Sequence, residues 1–404
     1  MPVSRTVART TTVLTAIFVL VWLYFGIRLE SWINLVEPER LPEIGPTAEA
    51  LHATSFVADL HADSLLFGRD LLERSDMGHV DLPRLQAGGV ALQIFSMPTI
   101  VPFGLNIERN EGGGIDSLTV AGLTQLSPSA LLGPTGRALH HAERLEDMAA
   151  ASDGELVLIH TRADLANLQA TRAAGADVTG AMLSIEGAHA LESDPANLER
   201  LFAAGYRMIG LTHFFDNDYG DSAHGVDRGG LTPLGRETLA EMERLGITLD
   251  LAHLSPAGVD EALALSTRPT VSSHGGVRGT CDNQRNLSDE HVQKIAEGGG
   301  VIGIGYWPWA VCGTSPAHVA RGIAHVVRLV GADHAGLGSD YDGGTTVGFD
   351  TSQLPALTQA LLDEGLTERQ VRKVLGDNVL RVLSENLPPA GLAAGESAVV
   401  GAVR

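Results

Sequence analysis

Side chains that could bind a metal stand directly after short apolar runs in this chain. In FVADLHADSLL, residues 56–66, His61 and Asp63 lie two positions apart at the end of such a run. The candidates at the ends of other runs are Glu186, His213, His253, His274, Tyr306 and Asp340. Imidazole nitrogens and carboxylate oxygens suit Zn²⁺ and, less selectively, Co²⁺ or Mn²⁺. These residue types therefore indicate divalent-metal chemistry.

The apolar runs themselves are typical of β-strands that alternate with helices. In order they are FVADLH, VALQIF, GAMLSIEG, MIGLTH, ITLDLAH, PTVSSH, VIGIGY and AGLGSDYD. Apolar residues spaced by three and four predict helices over 194–204, 233–245, 256–265, 289–297 and 316–330. A long insertion, roughly 98–179, has predicted helices over 135–151 and 162–174. Eight strands alternating with helices predict an α/β fold, a (β/α)8 TIM-type barrel.

The barrel prediction brings the candidate residues to one rim, because barrel enzymes place their chemistry at the carboxyl ends of the strands. Each candidate alone has a simpler explanation. His253 could be an ordinary polar residue after a strand, and Glu186 could cap the following turn. Asp340 and Asp342, in GSDYDG, could be turn formers. Their convergence favours a metal centre over these separate explanations.

Two neighbouring cations need a shared anionic ligand to offset their mutual repulsion. A carboxylated lysine could serve, but the first lysine in the chain is Lys294, so the early strands lack one. Glu186 is therefore the predicted bridging ligand.

The N-terminal residues predict a membrane anchor. The apolar run at 13–27 follows Arg5 and Arg9, a pattern that favours a cytoplasmic N-terminus. We expect a cytoplasmic stub and signal-anchor helix over 1–36, although a cleaved signal peptide is the alternative. The further expectation is a linker over 37–54, the barrel over 55–387 and a loose tail over 388–404, with the barrel on the periplasmic or extracellular side.

The charge of the chain bears on its partners. With 28 basic and 49 acidic residues the formal net charge is −21, which disfavours a nucleic-acid partner because the surface repels phosphate backbones. Two cysteines, Cys281 and Cys312, are an even number, and a disulfide is plausible for them in an oxidising compartment.

Segments along the body resemble the membrane (renal) dipeptidases, a zinc peptidase family with bacterial members. The similar segments, in family order, are DLHAD (59–63), HVDLPRLQAGGV (79–90), SIEGA (184–188), GLTH (210–213), DLAHLS (250–255), SSHGGVRG (272–279), RNLSDE (285–290), GLGSDYDG (336–343) and GDNVLRVL (376–383). The resemblance extends from about residue 57 to 383, nearly the whole body.

The resemblance implies two Zn²⁺ ions per chain and a role for each site residue. The implied metal ligands are His61 and Asp63 for one ion, His253 and His274 for the other, and Glu186 between them. His213 would face the substrate carbonyl. Tyr306 is a further candidate for substrate contact because of its position at the end of an apolar run, and not because of the resemblance. Arg285 would hold the substrate carboxylate, and Asp340 rather than Asp342 would transfer protons. A disulfide between Cys281 and Cys312 is also implied, and a homodimer is possible.

The activity implied is a zinc-dependent dipeptidase acting on L,L-dipeptides, with L,D-dipeptides as further candidates. A metal-bridging hydroxide would attack the peptide carbonyl. Binding of the free carboxylate by Arg285, at a fixed distance from the metals, would restrict cleavage to dipeptides. We expect the insertion and the region 214–228 to shape the substrate pocket.

Two other functions share these features. One is a different binuclear-metal hydrolase on the same barrel, acting on β-lactams, lactones or N-acyl amino acids. The other is an anchored binding protein whose catalytic site has decayed, but every ligand position is filled, which counts against it.

Overall fold

A closed barrel of eight parallel strands forms the centre of the molecule in a computed structural model. The structure describes residues 40–391 and, before them, 15, 20–22, 24–26 and 28–37. In chain order the barrel strands are Val57–Ala62 (β1), Val90–Phe95 (β2), Thr179–Glu186 (β3), Tyr206–Gly210 (β4), Thr248–Asp250 (β5), Val271–Ser272 (β6), Val301–Ile304 (β7) and Ala335–Leu337 (β8). Each pairs in parallel with the next, and β8 closes the ring against β1 through Leu337 and Asp59. The predicted (β/α)8 barrel is confirmed.

Helices follow the strands, and the predicted ones are present within one residue of their predicted limits. Within residues 40–391 the α-helices are Pro46–Ala53, Leu82–Ala87, Ser117–Thr124, Pro134–Ala151, Arg162–Ala173, Pro195–Ala203, Pro233–Leu245, Pro256–Leu265, Asp289–Glu297, Pro308–Val311, Pro316–Val330, Leu354–Asp363, Glu368–Arg372 and Asn378–Asn386. Several begin with a capping residue followed by proline, such as Thr232, whose hydroxyl accepts from the Gly235 amide. Proline suits the first helical position because its missing N–H needs no partner there.

The insertion between β2 and β3 contains the two predicted helices and adds a third α-helix, the 3-10 helix Pro128–Leu131 and a short strand. The strand Leu156–Leu158 pairs with β3 outside the ring, and the helix Ser117–Thr124 lies beside the cavity described below. The short strand was not predicted, because three residues carry too little periodicity to be read from sequence.

The folded body begins earlier than the predicted boundary at residue 55. Pro46–Ala53, placed in the predicted linker, is a helix that buries Leu51. His52 is also buried, with Nδ1 2.8 Å from Thr358 Oγ1 and Nε2 2.9 Å from the Gly88 carbonyl oxygen. Within the predicted linker, only the residues before this helix are rich in proline. Residues 48–53, AEALHA, are mostly good helix formers.

The predicted anchor segment at 13–27 lies mostly outside the described residues. Among the residues that the structure does describe, no helix is both long and apolar enough to cross a membrane. The described residues from 28 to 33 are helical, and Leu35–Val36 then pairs in parallel with Thr346–Val347. Most of the predicted tail, from 392 onward, also lies outside the described residues.

Candidate active site

The carboxyl ends of the strands bring the predicted metal ligands together. His61 lies in β1 with Asp63 just beyond it, and Glu186 is the last residue of β3. His253 and His274 follow β5 and β6 by two or three residues. All five side chains are almost completely buried. The barrel therefore converts separate sequence positions into one cluster.

Glu186 lies at the centre of this cluster. Its Oε1 is 2.7 Å from His253 Nε2 and 3.1 Å from His274 Nε2. Its Oε2 is 3.4 Å from His213 Nε2 and 3.9 Å from His61 Nε2. One carboxylate thus faces four imidazoles, as a bridging ligand would.

A second group of ligand atoms surrounds His61. Its Nε2 is 3.4 Å from Asp63 Oδ2 and 3.8 Å from Asp340 Oδ1. Three sets of donor atoms, each within 4.8 Å of one another, could hold a metal ion. They are His61, Glu186 and His274; Glu186, His213 and His253; and His61, Asp63 and Asp340.

The buried ligand atoms have the unmet bonding capacity that divalent cations would satisfy. His61 Nε2 and Asp63 Oδ1 are inaccessible to solvent and have no hydrogen-bond partner among the described residues. Unpartnered buried polar atoms cost about 1–3 kcal/mol each, so such a group is unfavourable unless something binds it. The donor set of imidazoles and carboxylates fits zinc-type cations.

The electrostatics of the cluster also favour bound positive charge. Burial lowers the pKa of His61, but the carboxylates of Asp63 and Glu186 outweigh it and raise that pKa to about 10. Burial raises the pKa of Asp340 well above its usual range, and Asp63 and Glu186 raise it further. Burial also acts to raise the pKa of Glu186, yet the surrounding histidines hold it well below its usual range. Several carboxyl groups therefore lie close together in this buried site, and a bound cation would offset their negative charge.

A further layer of hydrogen bonds orients the ligands. Ser273 Oγ donates to Asp250 Oδ2 at 2.5 Å and lies 2.8 Å from His274 Nδ1 and 3.4 Å from His61 Nδ1. Ser339 Oγ makes the equivalent donation to Asp59 Oδ2, also at 2.5 Å. Such partners fix the ring orientation of metal-bound histidines.

Sequence reasoning missed these supporting residues. Asp59 and Asp250 lie within DLHAD and DLAHLS, two or three residues before His61 and His253. Their buried position within a strand was the available signal, since an aspartate in a buried strand requires polar partners.

The two aspartates of GSDYDG, Asp340 and Asp342, make different contacts. Asp342 accepts hydrogen bonds from Ser64 Oγ at 2.5 Å and Arg69 Nη2 at 2.7 Å, so its carboxylate fixes the loop. Asp340 instead faces His61. Asp340, Asp342 and His253 all have positive φ, of 57°, 63° and 64°. Strained backbone of this kind is concentrated at functional sites.

Arg285 lies in the same cavity and lacks an acidic partner among the described residues. Its guanidinium is buried, with Nη2 donating to the His274 carbonyl oxygen at 2.9 Å and lying 3.4 Å from His253 Nε2. No carboxylate of the described residues is within 4.0 Å of it, the distance that defines an ion pair. A buried cation without a counter-ion is a site for an anionic ligand group.

The cavity has a volume of about 960 Å³ and is lined by the metal cluster, Arg285 and a largely apolar wall. Both predicted pocket regions contribute to it: Phe103 and Leu118 come from the insertion, and Phe214 and His224 come from the region 214–228. Trp307, which sequence reasoning did not select, also lines it, with its ring centroid 5.9 Å from that of His274.

Tyr306, which was predicted to contact substrate, lies behind the cavity wall in this structure. Its side chain is fully buried and does not line the cavity. The ring packs against Phe349 and Tyr341, with centroids 5.1 and 5.4 Å away. The adjacent residue, Trp307, faces the substrate space instead, because consecutive side chains at a strand end point in different directions.

Cys281 and Cys312 form a disulfide, as the resemblance implied. The bond joins the loop after β6, which carries Arg285, to the segment after β7, which carries Trp307. Two walls of the cavity are therefore linked covalently.

Comparison with known proteins agrees with this geometry. The sequence model of the membrane dipeptidases, peptidase family M19, matches residues 46–388. Dipeptidase verJ of Clonostachys rogersoniana is 34% identical over 209 residues, which are 50% of this chain and 54% of that protein. The chain thus matches about half the length of this curated relative.

Two solved structures are similar over nearly their full length. The dipeptidase AC, a metallopeptidase of family M19, has 27% identity and a TM-score of 0.68, covering 83% of this chain and 99% of its own. A metallopeptidase from Rhodobacter sphaeroides, with a phosphinate mimic of the dipeptide L-Ala-D-Ala bound, has 26% identity and a TM-score of 0.68, covering 82% of this chain and 99% of its own.

Replacing Ser273 tests the supporting layer. Ser273→Ala removes the hydroxyl that connects His274 and Asp250, so we expect zinc affinity to fall about 10–100-fold, the usual effect of losing such a partner. Competition with a chelating dye measures it. The matched control is Ser184→Ala, since Ser184 is equally buried in β3 and its Oγ has no hydrogen-bond partner within the described part of the chain. Equal affinities for the two variants would contradict the orienting role.

Proposed function

Because the chain belongs to the membrane dipeptidase family of metallopeptidases, we propose that it hydrolyses the peptide bond of dipeptides. The observation that carries this proposal is the buried Arg285 guanidinium beside the ligands His253 and His274, without a carboxylate partner among the described residues. A free substrate carboxylate would supply the missing charge and fix the distance from the C-terminus to the metal cluster. A longer peptide would carry no carboxylate at that distance.

We assign two divalent cations, with Zn²⁺ as the proposed identity, to the cluster around Glu186. His61 and Asp63 would hold one, His253 and His274 the other, and Glu186 would contact both. When bound, such ions supply Lewis acidity and generate a nucleophile from water near neutral pH. Co²⁺ or Mn²⁺ are possible substitutes, because the donor set discriminates weakly among these ions.

The chain's own groups account for the remaining steps. Arg285 binds and orients the substrate carboxylate. His213, whose Nε2 is 3.4 Å from Glu186 Oε2, would stabilise negative charge on the carbonyl oxygen. Asp340 takes the proton that the attacking water loses and delivers it to the leaving amine nitrogen as the C–N bond breaks.

The proposed substrates include dipeptides of two stereochemical classes. The Rhodobacter sphaeroides structure holds a mimic of L-Ala-D-Ala, so we include L,D-dipeptides beside L,L-dipeptides as proposed substrates. A β-lactam, a lactone or an N-acyl amino acid would use the same metal cluster and is the alternative substrate class.

We also propose that the barrel lies outside the cytoplasm, held at the membrane by the N-terminal apolar segment. The disulfide between Cys281 and Cys312 supports this placement, because such bonds persist in oxidising compartments. Exposed apolar side chains on the described part of the N-terminal segment, among them Leu20, Tyr24 and Trp32, suit contact with lipid.

Membrane fractionation of the full-length chain tests this localisation. We expect the protein to stay in the membrane pellet after a carbonate wash and to be digested by protease added outside the cytoplasmic membrane. Recovery in the soluble cytoplasmic fraction would refute it.

The proposed activity is tested by assaying the metal-loaded chain on L,L- and L,D-dipeptides while counting its metals. We expect two zinc ions per chain and hydrolysis that chelation abolishes and zinc restores. Two bound metals with no cleavage of any dipeptide would reject the dipeptidase and direct the assay to lactones, β-lactams and N-acyl amino acids.

Arg285→Ala tests carboxylate recognition. We expect kcat/KM for L-Ala-L-Ala to fall about 10²-fold or more, since a charge-assisted pair in a buried site is lost. The corresponding dipeptide amide should lose far less. Arg278→Ala is the matched control, because Arg278 donates to the Asn286 carbonyl oxygen and does not line the cavity. Equal losses on the acid and the amide would refute this role.

A further inference from the structure

One wall of the catalytic cavity comes from the N-terminal segment. We define the N-terminal wall as the described residues 20–22, 24–26 and 28–33, all of which are helical. Trp22, Phe25, Leu29 and Ile33 line the cavity. Their spacing of three, four and four places them on one helical face. The same cavity contains Glu186 and the other groups of the metal cluster.

The insertion helix Ser117–Thr124 supports this wall through close backbone contact. Trp22 Nε1 donates to the Leu123 carbonyl oxygen at 3.4 Å. Gly26 is buried against Thr124, where an added Cβ would lie 2.1 Å from the carbonyl oxygen. The two helices can approach this closely only because residue 26 has no side chain.

Polar contacts tie the wall to the loop that carries Asp340. Glu30 is buried, and its Oε1 accepts from Arg69 Nε at 2.7 Å. Arg69 Nη2 in turn donates to Asp342 at 2.7 Å. Just after the wall, Asn34 Oδ1 accepts from the Gly344 amide at 2.8 Å. The wall is therefore held in a fixed position relative to the metal cluster.

The cavity has two chemically different ends. The metal cluster and Arg285 form a charged floor, whereas the N-terminal wall faces further apolar side chains such as Phe103, Leu118 and Trp309. Its volume of about 960 Å³ is at the upper end of the range for pockets that hold drug-sized ligands. A substrate with two methyl side chains would leave most of the apolar surface in water, and a large apolar side chain would cover it.

We propose that the N-terminal wall determines specificity, selecting dipeptides with a large aromatic or aliphatic side chain over those with small ones. The proposal rests on the dipeptidase function proposed above. The wall precedes residues 46–388, the part of the chain that matches the family. The proposed selectivity therefore depends in part on residues that lie outside the range matched by the family.

The test uses the full-length, zinc-loaded chain in detergent and compares kcat/KM for L-Leu-L-Phe with that for L-Ala-L-Ala. We expect wild type to favour L-Leu-L-Phe, and the ratio to fall about tenfold in Phe25→Ala and in Leu29→Ala, as for lost contacts in an apolar pocket. Leu20→Ala is the control on the same segment, because Leu20 is 66% exposed and does not line the cavity. Its ratio should equal that of wild type.

Gly26→Val provides an independent variant, since it displaces the wall from Thr124 while every apolar side chain remains. We expect the same fall in the ratio. An unchanged ratio in Phe25→Ala and Leu29→Ala, or an equal fall in Leu20→Ala, would overturn the proposal.

Binding of phosphinate dipeptide analogues, measured by calorimetry, separates this proposal from the function on which it rests. The analogues carry either methyl or large apolar side chains. Tighter binding of the analogue with large apolar side chains, lost in the wall variants, would support the selectivity proposal. If no dipeptide were hydrolysed at the same time, the proposed dipeptidase function would be rejected. Hydrolysis of dipeptides without this binding preference would reject only the proposed role of the wall. Failure of both analogues to bind would reject the proposed role of the wall and the proposed dipeptidase function.

Discussion

The site depends on the burial of the Glu186 carboxylate among four imidazoles. A buried charge is costly unless it is paired or binds metal, so the neighbours of Glu186 must lie within a few ångströms. They come from β1 and from the loops after β4, β5 and β6, and only a closed barrel brings those strand ends to one point. The candidate metal ligands can therefore come together only when the barrel is closed.

Residues outside the metal cluster keep its ligands in place. Ser273 and Ser339 connect histidines and loops to the buried Asp250 and Asp59. The disulfide links the two loops that carry Arg285 and Trp307. These contacts join parts of the chain that are far apart in sequence, so that each ligand is oriented before a metal or substrate arrives.

Chemistry and selectivity occupy different parts of the cavity. The charged floor belongs to the barrel that matches the family, whereas part of the apolar surface belongs to residues before position 46. The connection through Glu30, Arg69 and Asp342 fixes one part relative to the other. A change in the N-terminal segment can therefore alter which side chains fit without altering a metal ligand.

The sequence by itself determined the eight strands and the cluster at their ends, because strand periodicity and the polar residues after each run are local signals. It also pointed to Glu186 as the bridge, since lysine is absent from the early strands. Only the tertiary structure decided which neighbouring side chains enter the cavity: Trp307 lines it, whereas Tyr306 is buried against Phe349 and Tyr341. It also decided that Asp340 rather than Asp342 faces His61. It alone placed Trp22 and Phe25 beside the site. Side-chain direction in loops and contacts across hundreds of residues depend on packing, which no local pattern encodes.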